Sequence, residues 1–260
     1  MTIDLANFDL HEMLRCGREL REAVRHAATI EEAARVVVRY FYDACIDPVS
    51  AGRSCLLARF YKTHAYGELP SDLQDFAAGL LAGTVATPRM QCLTLMATAG
   101  ARPEWNDRRL SRGHRAIPLP SPEIIEQAPM IAQLVRQMGL DIATVVRPSP
   151  DVLRSAEGKT YSVFHVEEAA GSPYIPAQTE FVVPHGVRSV VGFGGLHRHD
   201  FFAVILFATV PIPRVAADRF RNIALDLKAV LYTLPESRVF EEASTFVAST
   251  QRTGDGAVRP

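Results

Sequence analysis

The stretch that decides the fold reads Gly186-Val-Arg-Ser-Val-Val-Gly-Phe-Gly-Gly-Leu-His-Arg-His-Asp-Phe-Phe-Ala-Val-Ile-Leu-Phe-Ala208. It holds two β-branched or aromatic runs of strand length, separated by a turn-like gap of Gly194-Gly195 and the polar segment His197–Asp200. We therefore predict an antiparallel hairpin. The second run, Phe201–Phe207, is apolar at every position, so both faces of that strand must be covered by other parts of the chain.

A long amphipathic helix follows the hairpin. Val210–Pro213 break the sheet, and Pro213 is well placed to open a helix. The apolar residues beyond it recur at helical spacing: Phe220, Ile223, Leu227, Val230, Leu231 and Leu234. Such a helix needs an apolar surface to lie on, and the preceding strands supply one. We predict that this closing helix is integral to folding.

These residues carry a family resemblance. The pattern GVRSVVGFGG…DFFAVILFAT…PRVAADRFRNIALDLKAVL resembles the last hairpin and closing helix of a GAF domain. The preceding YSVFHVEEAAGSPYIP is similar to the family's strand running into an acidic, Pro-rich ligand loop, so the resemblance covers Tyr161–Leu234. It implies an α/β (α+β) fold with an antiparallel sheet of about five or six strands and helices on one face. These motifs are structural rather than catalytic.

The composition is that of a soluble globular protein. The chain has 260 residues, of which 48% are hydrophobic and 22% charged, and its net charge is -1. This near-neutral charge gives no indication of nucleic-acid binding. The four cysteines have neither paired nor metal-type spacing, which predicts reduced thiols. The longest apolar run, Phe201–Ala208, is too short to span a membrane, so we expect a cytoplasmic protein without a membrane partner.

The rest of the chain predicts further helices and strands. Leu10–His26 carries one apolar stripe, and Thr29 with Glu32 has the spacing of a capping box at the start of a second helix. Strands are predicted at Ser54–Tyr61 and Gln91–Ala99.

We divide the chain into residues 1–28 (an N-terminal helix suited to dimerisation), 29–234 (a GAF-like ligand-binding domain) and 235–260 (a short helix and a disordered tail). A homodimer is predicted from the two terminal amphipathic helices.

A broken helix is predicted over Ile124–Met138. Ser121-Pro122-Glu123 is a strong helix start, and Pro129 must kink or split the helix. The resemblance implies that helices inserted at this point form a wall of the ligand pocket, which makes Met130 and Leu134 candidate ligand-binding residues. Ile142–Arg147 reads as a short extended piece. We expect a ligand between the sheet and the broken helix, under the loop Gly171–His185.

Two histidines are candidate ligand-binding and metal-binding residues. His165 lies within an apolar strand, and His185 stands where the expected pocket loop meets the sheet. Each is explained by a hydrogen bond to backbone in the core or a turn. The alternative, suggested by sensor domains of the resembled fold, is an axial ligand for non-covalently bound haem. Tyr174, in the same loop, is a further candidate ligand-binding residue, and other loop side chains bordering a pocket are His64, Tyr66, Trp105 and His114.

Three classes of function remain open on the sequence. The favoured one is a sensory module that binds a small molecule or haem in signal transduction, with a histidine kinase or another regulator as its partner, because the resembled family serves as the input domain of such proteins. The alternative is a haem-dependent enzyme with redox or lyase chemistry on the same fold. The third is a purely structural dimerisation module. No nucleophile elbow, Walker loop, zinc motif or dinucleotide fingerprint is present.

Overall fold

A computed structural model describes residues 2–81, 83–148, 162–235 and 237–241. Its centre is an antiparallel sheet of six strands in the order β3-β2-β1-β6-β5-β4, so the first and last strands of the chain pair in the middle. The strands are β1 Cys55–Ala65, β2 Gln91–Gly100, β3 Ala116–Leu119, β4 Phe164–Val166, β5 Ser189–His197 and β6 Asp200–Ala208. The short strand β3 is absent from the sequence-based prediction.

The predicted hairpin is present, with a tighter turn than the sequence suggests. The pairing of β5 with β6 continues to His197 opposite Asp200, which leaves only Arg198 and His199 as the turn. Gly194 lies inside β5, where a Cβ atom would come within 2.0 Å of the Phe202 carbonyl oxygen. This glycine permits a close approach of two strands, and it does not mark the turn.

Both faces of β6 are covered, as predicted. Its side chains divide by strand alternation between two separate cores. One core receives Phe202, Val204, Leu206 and Ala208. The other receives Phe201, Ala203, Ile205 and Phe207.

Three long helices cover the first face: α1 Leu10–Val24, α2 Ile30–Ala44 and α7 Arg214–Thr233. Phe220 of α7 stacks on Phe8 with ring centroids 4.6 Å apart and lies 5.0 Å from the ring of Phe193 in β5. Thr29 caps α2 as predicted, since its Oγ1 accepts a hydrogen bond from the Glu32 N–H at 3.0 Å. In α1, by contrast, Leu10 and Leu14 of the predicted stripe are exposed.

Three short helices cover the second face: α4 Pro122–Glu126, α5 Pro129–Gln137 and α6 Ile142–Val146. The predicted α/β fold, an antiparallel sheet of about five or six strands with helices packed on it, is confirmed; the long helices share one face, and the short ones lie on the other. The break at Pro129 is confirmed. The extended piece predicted over Ile142–Arg147 is wrong: Asp141 caps a helical turn by accepting a hydrogen bond from the Ala143 N–H, and the β-branched side chains that suggest a strand are buried. A further helix, α3 Ser71–Leu80, packs beside β3.

The segment after α7 returns to the start of α2. The Ile30 and Glu31 N–H groups donate to the carbonyls of Arg238 and Val239, and residues 237–241 contain no helix. The short helix predicted from Pro235 is therefore wrong over that range, and its remainder and the predicted tail, 242–260, lie outside the described residues. None of the helices in the described ranges combines the length and apolar character needed to cross a membrane.

Candidate ligand cavity

A cavity of about 360 Å³ lies on the second face, between the sheet and α5. Its walls come from β1, β2, β3 and β6 on one side and from the Ala128–Leu134 segment and the Ile175–Phe181 loop on the other. The volume falls in the range typical of small-molecule sites. Most of the lining is apolar: Leu57, Leu93, Ile117, Ala128, Pro129, Met130, Ile131, Leu134, Ile175, Pro176, Ala177, Phe181, Ile205 and Phe207.

Strand alternation brings three side chains of β1 to this cavity. Leu57, Arg59 and Tyr61 occupy every second position, so all three share the face that looks toward α5. The pairing with β2 shifts register opposite Phe60 and Tyr61. The irregularity lies in β2, which leaves the alternation of β1 intact.

Among the described residues that line the cavity, Arg59 is the one with a cationic side chain. Its Nη1 donates to the Tyr61 hydroxyl oxygen at 3.3 Å, and its Nε is buried without a hydrogen-bond partner. Among the residues that the structure describes, no carboxylate lies within ion-pair distance of this guanidinium. Arg59 therefore brings an uncompensated positive charge to an apolar wall, an arrangement that an anion would stabilise.

His114 also lines the cavity and is neutral at pH 7. Its side chain is accessible to solvent, yet enough protein surrounds it to lower the pKa of its imidazole to about 4, and the charge of Arg59 adds to the effect. A neutral imidazole offers one donor and one acceptor nitrogen. His114 thus adds hydrogen-bonding capacity to the cavity without adding charge.

An aromatic cluster built on Trp105 stands at the side of the cavity. Trp105 packs on Gly100, where a Cβ atom would lie 3.0 Å from the indole. Its ring meets those of Phe181 and His185 edge to face, with centroid distances of 5.6 and 4.9 Å, and Phe181 in turn contacts Phe207 at 5.1 Å. The cluster joins the β2–β3 connection to the loop before β5 and closes this side of the cavity.

Gln178 organises that loop. Its side-chain amide donates to the carbonyls of Ala169 at 3.0 Å and Ile175 at 2.7 Å, while its Oε1 accepts from the Gly171 N–H at 2.9 Å. The residue begins a short π-helical turn, Gln178–Val182, that positions Phe181. One half-buried amide thus satisfies several loop backbone groups and holds the loop against the cavity.

The structure brings some of the predicted ligand-binding residues together and separates others. Met130 and Leu134 line the cavity from α5. Tyr174 is exposed and is not part of the lining. His185 is half-buried beside the cavity and contacts Trp105 and Phe181, without lining the cavity itself.

His165 lies on the opposite face of the sheet. Its neighbours in β4, Phe164 and Val166, belong to the core on the cavity side, so its own ring points toward α7. There its Nε2 is 2.8 Å from the Ile212 carbonyl oxygen and donates to it, and burial lowers the pKa of the imidazole. The structure thus favours the backbone-bonded role, one of the two that the sequence suggests.

Neither candidate axial ligand fits haem bound in this cavity. His165 is across the sheet, and the His185 ring is held between two aromatic rings beside the lining. Among the described residues, no group of three or more His, Cys, Asp or Glu side chains is gathered that could hold a metal ion. The described residues of the cavity therefore do not fit haem.

Sequence reasoning missed several residues that line the cavity, namely Arg59, Tyr61, Phe181, Ile205 and Phe207. A signal was present for β1, because Leu57, Arg59 and Tyr61 share one face of a strand. An arginine at such a position normally indicates a solvent-facing strand. Only the packing of α5 and the Ile175–Phe181 loop over the sheet shows that this face is covered.

An antiparallel six-stranded sheet with helices on both faces and a cavity under a broken helix defines a small α/β module. Its fold is GAF-like, as the sequence resemblance predicts. The solved structures that it matches include the GAF domain of a phosphoenolpyruvate-protein phosphotransferase from Acinetobacter, at 13% identity and a TM-score of 0.41, over 85% of this chain and 93% of that one. The corresponding domain from Coxiella burnetii also matches over 85% of this chain and 93% of that one, at 11% identity and a TM-score of 0.43.

A third match is the chromophore-binding domain of a bacteriophytochrome from R. palustris, at 10% identity and a TM-score of 0.40, over 91% of this chain and 65% of that one. All these TM-scores lie below 0.5, so the likenesses carry no argument about what this chain binds. No family model and no curated protein matches the sequence.

Proposed function

We propose that this protein is a sensory module that binds a small organic molecule in the cavity between the sheet and α5. The observation that carries the proposal is the cavity itself: about 360 Å³, lined mainly by apolar side chains, with a few polar groups converging on it. A broken helix forms one wall, and a loop fixed by Gln178 forms another. The signalling partner, in this proposal, is a histidine kinase or another regulator.

The sheet offers a physical route from the cavity to the terminal helices. Alternate residues of β6 face the cavity and the core under α7, so Ile205 and Phe207 on one side are directly joined to Val204 and Leu206 on the other. A ligand that shifts the strand changes the surface on which α7 packs. We propose that α1 and α7 carry the signal to the partner.

Trp105 provides the test, because it is the only tryptophan of the chain and it lines the cavity. A library of small fragments is screened for compounds that change its fluorescence, with binding confirmed by calorimetry. Ala128→Phe is designed to fill the cavity, and Thr179→Phe places the same side chain at an exposed position of the closing loop. We expect fragments that bind the wild type and Thr179→Phe and that lose at least about tenfold in affinity for Ala128→Phe.

Two outcomes would overturn the proposal. In the first, no fragment changes the Trp105 signal. In the second, fragments bind the cavity-filled variant as well as they bind the wild type. Melting curves of both variants, measured beside the binding data, separate loss of the cavity from loss of the fold.

The haem-dependent enzyme is not proposed, because neither His165 nor His185 lines the cavity. Among the described lining residues, only Arg59, Tyr61 and His114 carry ionisable groups. They include no carboxylate or thiol to act as base or nucleophile.

A further inference from the structure

We infer that the ligand is a small aryl carboxylate whose carboxylate pairs with Arg59 while its ring lies among the aromatic side chains of the cavity. This inference rests on the proposed function and names the class of molecule that the site takes. It uses three independent features: an uncompensated cation, the limited number of anion-binding groups, and the aromatic character of the walls.

The cation is the first feature. Arg59 has a buried Nε without a partner, and within the described ranges its guanidinium donates only to the neutral Tyr61 hydroxyl. No acidic residue is among the described lining residues. A planar guanidinium binds a carboxylate through two parallel N–H···O bonds, and Nε is one of the donors that such a pair uses. A bound carboxylate would satisfy the buried Nε and neutralise the charge.

The second feature is the small number of anion-binding groups in the cavity. It favours a ligand with a single carboxylate over one with a phosphate. One guanidinium supplies one positive charge, and His114 is neutral. The first turn of α5, which lines the cavity at Pro129–Ile131, begins without a side-chain cap and adds only the partial positive charge of a helix N-terminus. A phosphate carries about two negative charges and three acceptor oxygens, which this largely apolar wall would leave unsatisfied.

The aromatic walls are the third feature. Tyr61, Trp105, Phe181 and Phe207 all face the cavity. Trp105 and Phe181, and Phe181 and Phe207, already meet edge to face, which is the arrangement that another aromatic ring could join. The cavity, at about 360 Å³, has the size for a ligand of one or two rings.

The test compares aryl carboxylates with their primary amides, which match them in shape and lack the charge. The probes run from phenylacetate to 2-naphthylacetate, each paired with its amide, and binding is measured by calorimetry on the full chain at pH 7. We expect each bound carboxylate to bind at least about tenfold more tightly than its amide. Arg59→Met should abolish that preference, and Arg59→Lys should retain part of it because lysine keeps the charge without the planar fork. Arg18→Met, at an exposed site on α1, makes the same change in net charge and should leave the preference intact.

The outcomes separate this inference from the proposed function. If carboxylate and amide bind alike, or if only neutral fragments bind, the assignment of Arg59 to an anion is wrong and the cavity remains a ligand site. If Arg59→Met melts cooperatively and keeps the preference for carboxylate, the assignment is also wrong. If no carboxylate, amide or library fragment binds, the proposed function falls as well.

Discussion

His197 lies beneath the C-terminal end of α7, and its environment predicts acid sensitivity. Its ring contacts Tyr232 at 4.7 Å and is buried. Burial lowers the pKa of the imidazole to about 4, and the nearby charge of Lys62 contributes. His64, buried beside Lys62, has a pKa lowered well below its usual value for the same two reasons. Lys62 itself is paired with Asp200.

We predict that stability falls as the pH is lowered from about 6.5 toward 4. The unfolded chain takes up protons on these imidazoles in that window and the folded chain does not, so protonation favours unfolding. A pKa near 4 for His197 corresponds to a loss of about 1–2 kcal/mol between pH 7 and pH 5. Urea unfolding at pH 7 and at pH 5 measures this loss in the free energy of unfolding. His197→Gln should make the profile less steep, with His64 still contributing, and the exposed His26→Gln should not; equal slopes for all three proteins would contradict the prediction.

His165 is expected to support the fold and not the ligand. Its Nε2 donates to the Ile212 carbonyl, at the point where β6 leads into α7. His165→Ala leaves that buried carbonyl without this partner, which should lower the free energy of unfolding by about 1–3 kcal/mol. Affinity for cavity ligands should be unchanged in the variant, because the side chain is on the far side of the sheet. A large loss of affinity with little change in stability would contradict this placement.

At the scale of elements, the loop before β5 is predicted to control ligand release. Gln178→Ala removes the amide that holds Ala169, Gly171 and Ile175, so the loop should open more often. We expect about a tenfold weaker affinity, arising mainly from a faster dissociation rate measured by stopped-flow Trp105 fluorescence. The neighbouring Thr179→Ala, at an exposed position, is the control. An unchanged dissociation rate would show that the loop does not gate the cavity.

Helix α7 is predicted to be part of the folding unit. Leu227 is 2% exposed and packs in the core that also holds Val204 and Leu206 of β6. Leu227→Ala should cost about 2–5 kcal/mol, through lost apolar contact and the cavity left behind. Leu225→Ala changes the same residue type on the exposed side of the same helix and should cost far less. Denaturant unfolding of the two variants gives the comparison; equal losses would mean that α7 does not pack as described.

At the scale of the molecule, α1 and α7 lie side by side on the same face of the sheet. Their outer surfaces expose large apolar side chains, including Leu10, Leu14, Val215 and Leu225. Such a surface is typical of an interaction site, and we predict that a second copy of the chain covers it. Leu14→Glu with Leu225→Glu should give a monomer by light scattering, and Leu80→Glu, on the distant α3, should not. A wild type that is monomeric across the micromolar range would contradict the prediction.

The fold was largely predictable because local patterns and burial agree. β6 is uniformly apolar, Phe220, Ile223 and Leu227 recur at helical spacing, and a proline splits the helix at residue 129. In each of these cases the local sequence pattern and the burial in the fold favour the same structure. The misassigned segment at Ile142–Val146 shows the limit of such patterns. Its β-branched residues favour a strand, and the Asp141 cap with burial against the second core makes it a helix.

The site was less predictable than the fold. The broken helix indicated one wall, and Met130 and Leu134 lie in it. The opposite wall depends on long-range pairing: Arg59 reaches the cavity only because β1 pairs with β6 in the centre of the sheet, under α5. His165 was misleading, because a histidine in an apolar strand gives no indication of which face of the sheet it occupies.

We predict that the cavity between the sheet and α5 binds a small molecule beside Arg59. The most direct measurement is a crystal structure of the protein with the tightest aryl carboxylate from the binding assay. We expect electron density for the ring between Trp105 and α5, with the carboxylate within hydrogen-bond distance of the Arg59 guanidinium. Ligand density elsewhere on the molecule, with this cavity filled by water or by its own side chains, would contradict it.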